Sequence, residues 1–334
     1  MHTEQPSAHC APPCDPLLAH VPLTHRAEFY PYGFAVSVVS NSPVVLQAAR
    51  ESWAGWPKRF DEPPLDLRCL VSEGAAPECL PPPVVRAQRN LIVWSADADN
   101  YWCGDMATGF ASAWVTAGLA AETRYFRYHV LEAMAYCLLD SLHVVAVHAA
   151  CVAWNGHGVL LAGDSGSGKS SLAYACARRG WTYIADDASS LVRRGTARIV
   201  LGDPRLFRFR ATAGALFPEF EGMEESPHAL GKPTIEVPAD SLPAVRTAVE
   251  SRVDAVVFLK RREGHDPRVE LVPVAADDVI RRLSFSPWPA DLPGVGERAA
   301  VLQRLADVGA CEMSYCDLDA AADTLKQIAH GDRR

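Results

Sequence analysis

The chain has no apolar run near the roughly 18 residues that a helical membrane span requires. Its ten cysteines include no Cys-x-x-Cys pair. The closest, Cys10 and Cys14 beside His9 and Cys311 with Cys316, show no four-ligand zinc spacing, so reduced thiols are expected. A surplus of positive charge is also lacking: the net charge is −8. That excludes nucleic acid or an anionic membrane as a general partner. Met1 to Thr24 has no basic start leading into an apolar block, so no secretory signal is read and a cytoplasmic location is expected. No internal repeat occurs, and no Asn-Lys-x-Asp element that would read a guanine base.

What is present is ordinary globular composition, 49% hydrophobic and 22% charged over 334 residues, enough for two domains. Residues 1–25 are rich in Pro, His and Ala and read as a mobile tail. Residues 26–142 read as an α/β accessory domain. Phe34, Val36 and Val38 alternate as in a strand, Pro43 opens a helix to about Trp53, and Leu65–Val71 and Leu91–Trp94 read as strands. Pro81-Pro82-Pro83 reads as a loop. Thr123 to Leu142 has helical period, with Tyr128, Leu131, Ala135, Leu138 and Leu142 on one face. Residues 143–334 read as a second α/β domain. It opens with β-rich Val144–Val152 and Gly158–Ala162, joined by the turn glycines Gly156 and Gly158.

The informative stretch is Gly163-Asp164-Ser165-Gly166-Ser167-Gly168-Lys169-Ser170, a complete Gly-x-x-x-x-Gly-Lys-Ser. Glycines let backbone N–H groups turn toward phosphate oxygens without Cβ atoms in the way. Lys169 offers charge to the β- and γ-phosphates, Ser170 offers a hydroxyl to magnesium, and Ser171 continues the turn into the helix. That helix, Ser170 to about Arg179, aims its N-terminal dipole at the anion. The pattern predicts ATP and Mg²⁺ as cofactors. Asp186-Asp187 ends the apolar strand Trp181–Ala185, where α/β proteins place site residues. One carboxylate would take a proton from an attacking hydroxyl and the other would hold magnesium. His148 lies in the apolar run Val144–Val152, and two readings stay open: a core histidine, or a partner that tunes Asp186. Arg205, Arg208 and Arg210 read as alternating on one strand face and are candidates for phosphate or substrate contact, as is Lys232.

These residues together resemble the catalytic domain of HPr kinase/phosphorylase. The resemblance runs through His148-Ala149-Ala150-Cys151-Val152, Gly156-x-Gly158 onward to Ser170, Arg179-Gly180-Trp181 and Ala185-Asp186-Asp187. It implies a P-loop kinase domain with a mixed sheet, similar also to phosphoenolpyruvate carboxykinase. It further implies that Asp186 is the catalytic base, that His148 supports it, that Lys169 and Ser170 serve ATP and magnesium, and that Asp187 assists at the metal. The family's tendency to oligomerise makes a homo-oligomer an expectation. The chain departs from the family where a Glu-x-Arg-Gly-x-Gly-Ile signature belongs. Residues Leu201 to Arg210 stand there instead, and Ser171 follows the loop serine in place of Glu or Thr. It therefore reads as a divergent paralogue, with a protein or peptide serine as the acceptor, such as a modified-peptide precursor. A kinase for a small molecule such as free serine, and a nucleotide-binding regulator without turnover, are the alternatives.

Overall fold

The computed structural model describes residues 22–331 apart from positions 79, 81, 227–232, 265–266 and 285–293. Most of the expected tail, Cys10, Cys14, the first residue of the triple proline and Lys232 lie outside the described residues.

Two mixed sheets organise the chain. The first holds β1 (His25–Phe29), β2 (Val36–Ser40), β3 (Leu65–Ser72), β4 (Val84–Gln88), β5 (Leu91–Ser95), β6 (Tyr101–Asp105) and β7 (Phe110–Thr116), in the order β1-β2-β3-β7-β6-β5-β4. The strands β2, β3 and β7 run parallel and the rest pair antiparallel. Alternation sets the covered face: Leu65, Leu67 and Cys69 of β3 are buried between more exposed neighbours. They pack with Trp53 of α1 (Pro43–Trp53) and Leu138 of α4 (Ala133–Leu142), the last of the helices in this half.

The single helix expected from Thr123 to Leu142 needs correction. The chain forms α2 (Ala117–Ala121), α3 (Thr123–Phe126), a π-helical stretch Arg127–Glu132 and only then α4. The wider π turn buries three consecutive residues, His129, Val130 and Leu131. It leaves Tyr128 and Glu132 half-buried, where they line a cleft shared with residues of the second half.

The second half contains β8 (Val144–Val147), β9 (Ala149–Trp154), β10 (His157–Ala162), β11 (Thr182–Ala185), β12 (Ser189–Val192), β13 (Ile199–Leu201), β14 (Leu206–Phe209), β15 (Ile235–Pro238), β16 (Arg246–Thr247), β17 (Glu250–Arg261), β18 (Glu270–Val274) and β19 (Ala310–Tyr315). All but β14 and β15, an antiparallel pair of their own, join one sheet in the order β16-β11-β9-β10-β17-β13-β12-β8, with β19 between β17 and β18. The helices here are α5 (Lys169–Arg178), α6 (Ala276–Leu283), α7 (Val295–Ala306) and α8 (Leu318–Ala329). Strand β10 is buried on both faces, which explains its unbroken apolar run. Val159 and Leu161 pack with α5 and α8, whereas Leu160 and Ala162 pack with α6 and α7. It runs parallel to β17, with a register shift between Gly158 and Val159. The expected continuous strand Val144–Val152 is in fact two strands, because β8 pairs with β12 while β9 pairs with β10 and β11. His148 sits in the bend where the chain changes neighbours.

The molecule is thus α/β with mixed sheets. Among the described residues no helix is long and apolar enough to cross a membrane.

Candidate active site

Strand β10 ends at Ala162 and α5 begins at Lys169, so the glycine-rich segment is the strand-to-helix turn. Gly168 caps the helix at φ 96°, a left-handed conformation that L side chains avoid. A Cβ there would also collide with the Tyr315 hydroxyl. That hydroxyl comes from the end of β19 and donates to the Ser167 carbonyl at 2.9 Å, which ties the loop to a strand on the other side of β17. Lys169 is buried to 6% exposure, and its Nζ donates to the carbonyls of Gly163 (2.8 Å) and Asp164 (3.4 Å). Burial lowers its pKa, while the carboxylates of Asp187, Asp186 and Asp164 act in the opposite direction.

The two aspartates occupy different environments. The register of β11 against β9 shifts between Tyr183 and Ala185, so the strand bends as it delivers them. Gly202 lets the next segment close against this bend, since any Cβ there would strike the Ile184 carbonyl. Asp186 is buried; its Oδ2 accepts the Arg208 backbone N–H at 2.8 Å. Its Oδ1 is buried with no hydrogen-bond partner among the described residues. Burial raises the Asp186 pKa to about 6, against the Ser170 hydroxyl and the Arg208 amide, and the charge of Asp187 adds to the rise. Asp187 is largely exposed, with Oδ1 3.4 Å from His148 Nε2 and 3.9 Å from Lys169 Nζ. His148 was expected to serve Asp186; in the fold its Nε2 pairs with Asp187. The bend between β8 and β9 exposes the ring to the cavity instead of fixing it within a strand.

These groups line a cavity of about 480 Å³ that also takes in Ser165, Gly166, Ser171, Arg208 and Arg210. Arg210 Nη2 donates to Ser165 Oγ at 2.8 Å, and so reaches the loop from beyond β14. The expected single face for the three arginines does not form. Period two places Arg208 and Arg210 together opposite buried Phe207 and Phe209. Arg205 lies on the other parity, bonds Asp203 at 2.7 Å and faces the neighbouring cleft. Arg261, Thr234 and Tyr315 escaped the sequence reading. They lie far along the chain, and only the parallel pairing of β17 with β10 and with β19 brings Arg261 and Tyr315 to the loop.

The residues present fit a polyphosphate and a divalent ion. Buried polar atoms without partners among the described residues gather here: Ser167 Oγ, Asp186 Oδ1 and Thr234 Oγ1. Ser170 and Asp187 are oxygen donors of the kind magnesium accepts. Among the described residues no group of three or more His, Cys, Asp or Glu forms a metal cage. Magnesium beside phosphates needs no such cage, since it commonly uses one or two protein ligands with waters and substrate oxygens.

Residues 141–208 match the family model of the HPr Serine kinase C-terminal domain. The solved structure of the Hpr(Ser) kinase/phosphatase from Coxiella burnetii is similar at 13% identity and a TM-score of 0.29, over 56% of this chain and 98% of that one. So loose a likeness gives no basis for comparing sites. No curated protein matches the chain. From Ser141 to Arg208, the segment that carries the loop, both aspartates and three of the four residues of β14, the chain is HPr kinase-like.

Proposed function

We propose that the protein is a kinase that transfers the γ-phosphoryl group of ATP, with Mg²⁺, to a serine hydroxyl of a protein or peptide. The observation that carries this reading is the buried, half-satisfied Asp186 beside a complete phosphate loop and the buried Lys169. Loop N–H groups and the Lys169 ammonium bind the β- and γ-phosphates. A magnesium ion bound by Ser170 and Asp187 would neutralise the charge on the phosphate oxygens. His148 positions Asp187 through Nε2. Oδ1 of Asp186 has no hydrogen-bond partner among the described residues, so it is the atom assigned to accept the proton of the incoming serine. The serine oxygen forms a bond to the γ-phosphorus, the bridging bond to ADP breaks, and the proton ends on Asp186. A folded-state pKa of about 6 leaves Asp186 ionised at neutral pH yet basic enough to take that proton. Most of the acceleration comes from positioning and from charges already oriented.

The test is a pair of variants assayed for nucleotide affinity and for radiolabel transfer from ATP into protein. Lys169→Ala weakens nucleotide binding by about ten- to a hundredfold, the worth of one charged hydrogen bond. Asp186→Asn keeps nucleotide affinity and loses transfer by about 10²–10⁴-fold. Transfer at the parental rate by Asp186→Asn would remove the base assignment. Tight binding with no transfer by the parent chain would favour the regulator.

A further inference from the structure

A second cavity, of about 590 Å³, lies between the π-helical stretch of the first half and the β14–β15 pair of the second. Its size suits an extended ligand of several residues' bulk. Arg208 lines both this cleft and the phosphate cavity, and its backbone N–H is bonded to Asp186. The two cavities therefore adjoin at Arg208, next to the side chain that would take the acceptor's proton. Tyr128 also lines this cleft.

The walls carry both signs of charge, unevenly. At the neck, Arg124 and Arg208 share one oxygen of Glu236, at 2.9 and 3.4 Å, so two guanidinium groups face one carboxylate. Toward α1 the ratio inverts: Arg127 lies 3.7 Å from Glu51 and 3.5 Å from Glu132, one guanidinium against two carboxylates. Burial raises the Glu132 pKa, against the Ser52 hydroxyl and the charges of Arg127 and Arg205. Arg205 and Asp203 balance one to one, and Asp240 adds a further carboxylate to the lining. A ligand of one sign would leave one end of this cleft desolvated and unpaired, whereas a ligand with both signs matches both ends.

We propose that this cleft is the acceptor site, and that it takes a serine-bearing peptide segment with an acidic group beside the acceptor hydroxyl and a basic group a few residues away. The proposal rests on the kinase reading above. Its test uses two end-labelled peptides, Asp-Ser-Gly-Gly-Lys and its charge-swapped counterpart Lys-Ser-Gly-Gly-Asp. Binding to the full chain is read by fluorescence anisotropy with magnesium and a non-hydrolysable ATP analogue. The first peptide binds about tenfold more tightly, the worth of one charge pair. Arg124→Glu erases or reverses that order, and Glu51→Lys, at the other end, weakens the first peptide independently. Equal binding of the two peptides, or an order that neither variant shifts, overturns the assignment. So does displacement of the peptide by free serine at equal concentration, which would point to a small-molecule acceptor. Analogue affinity is read in the same samples. Its loss in the parent chain would count against the kinase reading, while the peptide order reports on the cleft itself.

Discussion

Asn100 in the first half and Asp186 in the second are both buried polar side chains at a sheet end, and their surroundings differ in kind. Asn100 donates to both carboxylate oxygens of Asp97 at 2.9 Å and accepts the Thr116 N–H at 2.8 Å. Asp186 has one oxygen bonded and one without a partner. In the first half Trp53 Nε1 is the one buried side-chain polar atom without a partner among the described residues; the other three belong to the loop or to the cavity beside it. Buried polar groups are nearly always satisfied in stable proteins. A closed network such as that of Asn100 holds a fold together. A cluster left open at one end costs stability, and a ligand that brings oxygens and a cation restores it.

The largest effect comes from the seam between the halves. Asp140 on α4 accepts from Arg298 of α7 at 2.8 Å and from the Ala146 N–H at 2.7 Å, next to the buried Arg193. Asp140→Ala strands a buried cation and is expected to cost about 3–5 kcal/mol in urea unfolding. A cost below about 1 kcal/mol would mean that the halves are not joined through this carboxylate.

Asp186→Asn goes the other way. The folded-state pKa of about 6 lies above the ordinary 3.8, so the folded protein binds this proton more tightly than the unfolded chain. Stability is therefore lost as pH rises from about 4 to about 6, and the full penalty, on the order of 3 kcal/mol, holds above that window. With metal chelated, the asparagine variant should melt higher than the parent at about pH 8 and level with it at about pH 4. An equal gain at both pH values would show that the buried charge is not the cause. The smallest change is Asn100→Ala, which strands the Thr116 N–H and costs about 1–3 kcal/mol without that pH dependence. A pH-dependent cost would break the contrast between the two sites.

What was legible in the sequence depended on contiguity. The loop, its helix and Asp186-Asp187 could be read because glycine spacing and a strand end are local properties. The pairing of His148 with Asp187 is hidden in the sequence, since a bend between two strands looks like one apolar run. The three arginines share one short stretch of sequence, and period two separates Arg205 from the others. Arg261 and Tyr315 carry no local signal, because their approach to the loop is decided by long-range parallel pairing. The π stretch was invisible too: its side-chain pattern resembles an ordinary helix until the packing of His129, Val130 and Leu131 is known.

Where β10 passes from Gly158 to Val159, its pairing with β17 skips one residue, Asp254, while its pairing with β9 runs on unbroken. Beyond it, odd positions face α5 and even positions face α7. Deleting the skipped residue, Asp254, would swap the two faces of β17 beyond it and turn Arg261 away from the cavity it lines. The proposed nucleotide site thus depends on a backbone irregularity well away from it along β17. An extra residue in the exposed turn at Asn155 and Gly156 would leave the phase intact.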